Sequence, residues 1–157
     1  MVDLHGQYLH LKEEIDTAIR EVIDTTAFIK GPQVTAFEEA LASYTGSRSC
    51  ITCGNGTDAL QVAMMALGLA PGDEVITTPF TFIATIEVIE LLRLKPVLVD
   101  IDPDTFAIDA SLIEEKITPK TRAIVPVHLF GQAVDMNRIL EIAAKHELHV
   151  IEDNAQA

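Results

Sequence analysis

From Gly46 onward, short runs rich in β-formers alternate with longer runs of helical period. No other feature restricts the fold as much. The β-rich runs are Ser49–Thr52, Glu74–Thr78, Pro96–Ile101, Ala123–Val127 and His149–Ile151. The stretches between them predict helices over Thr57–Leu69, Phe82–Arg93, Ser111–Ile117 and Asp135–His146. Turn residues punctuate the series at Pro71-Gly72-Asp73, Asp102-Pro103-Asp104 and Thr118-Pro119-Lys120. Pro96-Val97-Leu98-Val99 is apolar without a break, as strands are when helices cover both faces of a sheet. The pattern predicts an α/β fold with a mainly parallel sheet and flanking helices.

The first 46 residues follow a different rule. Leu11, Ile15, Ala18, Ile19, Val22 and Ile23 recur in steps of three and four, which places them on one helical stripe. Gly31-Pro32 breaks the pattern. A second helix is expected from Gln33 to Tyr44, with Val34, Phe37, Leu41 and Tyr44 inward and Gly46 as its C′ residue. Two parts follow: a helical segment, 1–46, and an α/β part, 47–157.

Composition narrows the function. With 11 basic against 24 acidic residues the net charge is −13, which argues against gripping a nucleic-acid backbone. One or two phosphates could still be held by backbone amides, which need no net positive charge. No apolar run approaches the roughly 20 residues of a membrane span. Met1–His10 carries His and Asp where a signal peptide needs an apolar stretch. A cytoplasmic protein is expected. The two cysteines, Cys50 and Cys53, build no disulfide framework. Their spacing is that of a redox pair, but a strand there would put them on opposite faces, as packed thiols.

Several segments could carry chemistry. Gly54-Asn55-Gly56-Thr57-Asp58-Ala59-Leu60 follows an expected strand and opens an expected helix. Free N–H groups at a helix start favour an anion. The alternative is a plain strand-to-helix turn with Asn55 or Thr57 as N-cap. The same residues fit the dinucleotide pattern Gly-x-Gly-x-x-Ala, but that reading needs an acid at the end of the next strand. The next strand ends Ile76-Thr77-Thr78-Pro79, and Asp73 and Glu74 lie at its other end. Asp100-Ile101-Asp102 resembles the nucleophile loop of an aspartate-dependent phosphatase. That loop wants Thr or Val where Asp104 stands, so a polar turn is the better reading. Asp153 and His128 each follow an apolar strand. There a carboxylate is well placed for ligand chemistry, and a lone His is more often structural. Phe80-Thr81-Phe82 follows another strand end, where aromatic rings can stack on a flat ligand or belong to the core.

In order and spacing these segments resemble the DegT/DnrJ/EryC1/StrS family of pyridoxal-phosphate-dependent sugar aminotransferases. The resemblance runs through Gly31-Pro32, Asn55-Gly56-Thr57-Asp58-Ala59-Leu60, Pro71-Gly72-Asp73-Glu74-Val75-Ile76, Thr81-Phe82-Ile83-Ala84-Thr85, Val99-Asp100-Ile101-Asp102, Pro126-Val127-His128-Leu129-Phe130-Gly131 and Glu152-Asp153-Asn154-Ala155-Gln156. It implies part of the large domain of a fold-type I PLP-dependent transferase. Residues 1–46 would be its helical N-terminal segment and 47–157 the first part of the PLP-binding domain. It assigns the cofactor phosphate to Gly56, Thr57 and the amide of Asp58. Phe82 would stack on the pyridine ring, Asp153 would pair with the pyridinium nitrogen, and Gln156 would hydrogen-bond near the ring hydroxyl. Asn154 stands where members usually have Ala or Cys.

The resemblance also implies what the chain does not contain. The family's Schiff-base lysine lies in a Ser-Phe-x-x-x-Lys-type stretch downstream of the Asp-x-x-Gln motif, hence beyond Ala157. Lys12, Lys30, Lys95, Lys116, Lys120 and Lys145 all lack that context. The chain therefore reads as a fragment without a catalytic residue of its own, with at most weak, non-covalent cofactor binding. For the complete enzyme the resemblance implies amination of a keto group on a nucleotide-linked sugar, usually with glutamate as amino donor, in a homodimer. The phosphate loop is most similar to those of members acting on 3-keto sugars, UDP-linked keto-glucuronates among them. Polysaccharide biosynthesis is the matching role. The competing readings are a lysine-lacking regulatory or dehydratase relative, a nicotinamide-dependent oxidoreductase using Gly54, Gly56 and Ala59, and a phosphatase using Asp100 and Asp102.

Overall fold

The computed structural model describes residues 2–157. The described residues divide into two compact units, 2–52 and 53–157.

The first unit is helical. α1 spans Leu4–Thr25 and opens on Asp3, whose carboxylate accepts from the Gly6 amide at 2.9 Å. α2 spans Pro32–Thr45, with Pro32 in its first turn and Gly46 in the left-handed region (φ 70°) as its cap. Gly31 before it is forced by space, because a Cβ there would collide with the Ala27 carbonyl. Neither helix buries a residue fully. Ile19 and Ile23 stay more than half exposed, as do Phe37 and Tyr44, whereas Val34 and Leu41 are half-buried. The inward set expected from periodicity is thus realised only in part. Two helices alone lack the second layer that would close over their stripes.

Ser49–Thr52, expected as a strand, is irregular. Its Thr52 amide and hydroxyl both donate to Glu38 Oε1, at 2.8 and 2.7 Å. A side chain rather than a neighbouring strand takes the Thr52 amide. The two hydroxyl and amide donors also hold the Glu38 carboxyl below its usual range, the hydroxyl most.

The second unit begins with α3 (Gly56–Ala66) and then alternates as the sequence predicts. β1 (Glu74–Thr77), α4 (Ala84–Leu91), β2 (Lys95–Leu98), β3 (Thr121–Ile124), α5 (Met136–His146) and β4 (His149–Val150) follow in turn. All pairings are parallel, in the order β2-β1-β3-β4. Ser111–Ile117, expected as one helix, is instead two 3₁₀ turns, Ala110–Leu112 and Glu114–Lys116. Asp109 caps the first through the Ser111 amide, and a segment this short gains little from α-helical continuation.

The sheet is covered on both sides, and the pleat decides which residue serves which core. Ile76 and Ile124 pack with Ile113, Ile139 and Ile142, on the α5 side. Val75 and Ala123, one position earlier, pack with Leu60, Met64, Val88 and Ile89, on the α3 and α4 side. The sheet's amino end is tied by Glu74, which is buried. Its carboxylate accepts from Thr118 Oγ1 at 2.5 Å and from Lys95 Nζ at 2.9 Å. Those partners, the hydroxyl foremost, hold its carboxyl below the usual range.

The strand order places the site. From β1 the chain passes through α4 to β2 on one side. It returns to β3 on the other side of β1 and passes through α5 to β4. The two crossovers lie on opposite faces, so the loops leaving β1 and β3 part. In an open sheet a ligand cleft forms at this reversal, beyond the strands' carboxyl ends.

Candidate functional site

A cleft of about 200 Å³ opens at that reversal. Gly56, Thr57, Phe82, Asp153 and Gln156 line it, five of the six residues expected to hold a cofactor. They come from three separate segments: the start of α3, the turn after β1 and the stretch after β4.

The start of α3 brings backbone amides to the cleft. Asn55 is its N-cap, accepting the Asp58 amide on Oδ1 at 2.9 Å and donating Nδ2 to Asp58 Oδ2 at 3.0 Å. The Ala59 amide closes on the Asn55 carbonyl at 3.0 Å. In the first turn this leaves the amides of Gly56 and Thr57 outside the cap. The amide of Asp58, the sixth expected residue, is engaged by Asn55, and its carboxylate folds back over Gly54, where a Cβ would come within 2.8 Å of Oδ2. The acid thus stays with its own helix start, a favourable position for negative charge.

Asp153 is the buried charge of the site, 8% exposed. Its backbone continues the β3–β4 pairing past the strand ends: the Asp153 amide donates to Pro126 O and the His128 amide to Asp153 O, both at 3.0 Å. Its carboxylate accepts from Thr85 Oγ1 on Oδ2 at 2.8 Å and from the Ala155 amide on Oδ1 at 3.2 Å. Thr85 in turn is 3.0 Å from Thr81 Oγ1. Both threonines line the cleft, and sequence reading gave neither a role. Their spacing of four around a helix start was visible. Their partner 68 residues away was not.

Phe82 is 70% exposed and lines the cleft alone among the nearby aromatics. Phe80 instead joins Phe106 and Phe130 in a cluster with ring centroids 5.7–6.4 Å apart. Gln156 is exposed, and its carbonyl accepts from the Gly131 amide at 3.3 Å. His128 is buried and structural. Nδ1 accepts from the Val134 amide at 3.1 Å, so Nε2 carries the proton it donates to Glu152 at 3.0 Å.

The competing readings fare less well. Glu74 lies at the amino end of β1, so no acid stands where a ribose would need one. Asp102 Oδ1 accepts the amides of Asp104 and Thr105, at 2.9 and 3.0 Å, and these donors lower its pKa. That is the expected polar turn. Among the described residues no cluster of three or more His, Cys, Asp or Glu could hold a metal ion. Cys50 and Cys53 are both free. Among the described residues no lysine lines the cleft, and no helix is long and apolar enough to cross a membrane.

Comparison with known proteins meets this geometry directly. The profile of the DegT/DnrJ/EryC1/StrS aminotransferase family matches residues 9–157. The chain is 51% identical over 156 residues to a UDP-2-acetamido-2-deoxy-3-oxo-D-glucuronate aminotransferase of Pseudomonas aeruginosa, covering 99% of this chain and 44% of that protein. It is also 51% identical over 157 residues to a pleiotropic regulatory protein of Geobacillus stearothermophilus, covering 100% and 42%. Among solved structures, NtdA from Bacillus subtilis with its cofactor PMP bound matches with a TM-score of 0.87 at 45% identity, over 90% of this chain and 32% of that one. The chain thus spans less than half the length of these curated relatives.

Proposed function

The chain belongs to the DegT/DnrJ/EryC1/StrS aminotransferase family, and from that premise we propose that its cleft holds pyridoxal 5′-phosphate, or its aminated form PMP. The observation that carries this reading is a buried, two-donor carboxylate, Asp153, sharing one cleft with the uncapped amides of Gly56 and Thr57. A phosphate and a protonated ring nitrogen, joined by a flat ring, are the partners such a donor set fits.

Each residue has one task. Gly56 and Thr57 bind the phosphate through backbone amides, with the Thr57 hydroxyl as a further donor. The Asp58 amide joins them where Asn55 releases it. Phe82 offers a ring face for stacking, and Gln156 an amide near the ring hydroxyl. Asp153 holds a proton at the ring nitrogen. When bound, the protonated ring supplies an electron sink for the bond broken at the substrate carbon.

For the whole protein, the reading is amination of a keto group on a nucleotide-linked sugar with glutamate as donor. The C3 position is supported by the 3-oxo substrate named for the Pseudomonas relative. The base that moves the substrate proton, a Schiff-base lysine, is assigned to sequence beyond Ala157. The reading also puts the protein in the cytoplasm as a homodimer whose sites draw on both chains.

Calorimetric titration at pH 7 tests the cofactor. PMP should bind saturably, and Asp153→Ala should weaken it about tenfold or more. Tight binding of NAD with none of PMP would sink the reading. For a longer chain containing this region, NMR of the product should show the new amine at C3; amination only at C4 would refute that position. Sedimentation of that chain as a monomer would remove the dimer.

A further inference from the structure

We propose that Thr85, backed by Thr81, is a positioning residue that fixes the Asp153 carboxylate for the cofactor's ring nitrogen. This rests on the cofactor reading above and adds to it two residues that the family resemblance left without a role.

The argument is one of proton direction. An ionised carboxylate only accepts, and a threonine hydroxyl has a single proton to give. Thr85 lies 2.8 Å from Asp153 Oδ2, so its proton is committed there. Thr81, 3.0 Å from Thr85 Oγ1, must then be the donor between the two hydroxyls. The relay runs one way, Thr81 to Thr85 to Asp153, and each hydroxyl polarises the next.

Burial makes the relay matter. Thr85 is 0% exposed, so water cannot stand in for its hydroxyl. With Oδ2 held by Thr85 and Oδ1 by the Ala155 amide, the plane of the carboxylate is fixed. Each oxygen keeps a further acceptor site for a ring N–H. The Thr85 amide also donates to the Phe82 carbonyl at 3.2 Å. The turn that presents the stacking ring thereby also sets the carboxylate, and the two contacts to the ring are built as one piece.

The test compares two ligands. One is PMP, whose amine does not react with surface lysines. The other is its analogue with CH in place of the ring nitrogen. A packing role for Thr85 would weaken both alike, whereas a positioning role concerns the nitrogen alone. The wild-type chain should prefer PMP by calorimetry. Thr85→Val should weaken PMP about tenfold and leave the analogue unchanged, and Thr85→Ser should restore the preference. Thr81→Val should reduce the preference by a smaller factor. If Thr85→Val keeps the wild-type preference, the inference is overturned and the cofactor reading stands. If the wild-type chain shows no preference, Asp153 does not serve the nitrogen, and both fall. If Thr85→Val loses both ligands, its cleft has collapsed and Thr81→Val decides: a reduced preference supports the relay, an unchanged one overturns it.

Discussion

Ile19 on α1 and Ile139 on α5 occupy similar apolar stripes on similar amphipathic helices. Ile19 is 55% exposed and Ile139 is 0% exposed. The helices do not differ in kind; their surroundings do. α5 lies on a sheet whose face offers Ile76 and Ile124, while the unit of residues 2–52 has only two helices. A stripe records that a helix can be buried, and a second layer decides whether it is. The cleft follows the same division. Every residue lining it belongs to the unit with the two-sided core.

The comparison can be broken most forcefully in the core. Ile76→Ala should cost about 3–4 kcal/mol in urea unfolding, while Ile19→Ala should stay within about 0.5 kcal/mol. A large cost at Ile19 would show that α1 is buried in solution and would end the contrast. Next in size is Glu74→Gln, at about 2 kcal/mol, because buried hydroxyl donors lose a charged acceptor. Glu74 titrates below its unfolded value, so its contribution is full above an unfolded pKa of about 4.3 and fades as pH falls. The gap between wild type and variant should therefore narrow on acidification; a gap that widens would contradict the assignment.

A third test uses one chemistry in both units. Asn55→Ala removes the α3 cap and should lower global stability by about 1 kcal/mol. Asp3→Ala removes the same kind of cap from α1. It should speed hydrogen exchange at Gly6 and leave the global transition in place. Equal global losses would mean the two units unfold as one. The smallest effect belongs to Glu114, whose carboxyl is held down to about 2 by Lys145 and then His146. Its partly exposed pair is screened by salt. Glu114→Gln should flatten the stability loss between pH about 4.5 and 2, and wild type in high salt should look the same. An unchanged acid limb would show that the pair does not hold in solution.

Much of this was legible in the sequence, for identifiable reasons. Strand positions 74–77 and 149–150 follow from β-rich runs bounded by turn residues, and Gly46 from its place after a periodic stretch. Their strand-end positions singled out Asp153 and Phe82 as candidates, but left a cap or a core place open for each; only the family resemblance gave them cofactor roles. Ser49–Thr52 misled because β-rich composition does not reveal whether a partner strand exists; here Glu38 takes Thr52's donors instead. Ser111–Ile117 misled because helical period does not reveal how the hydrogen bonds close over so few residues. The sequence offered Asn55 or Thr57 as the cap of α3 without deciding between them; the fold gives the Asp58 amide to Asn55. The Thr85–Asp153 bond joins residues 68 apart, a pairing without any local signal.

The central claim is that the reversal between β1 and β3 carries a cofactor cradle already formed within residues 53–157. Amide chemical shifts of the chain, followed by NMR through a titration with PMP, test it most directly. The account predicts saturable shifts at Gly56, Thr57, Thr85, Asp153 and Gln156, with α1 unmoved and so too a separate groove lined by Asp102, Asp109, Gln132 and Arg138. Shifts centred on that groove, or none at millimolar ligand, would contradict it.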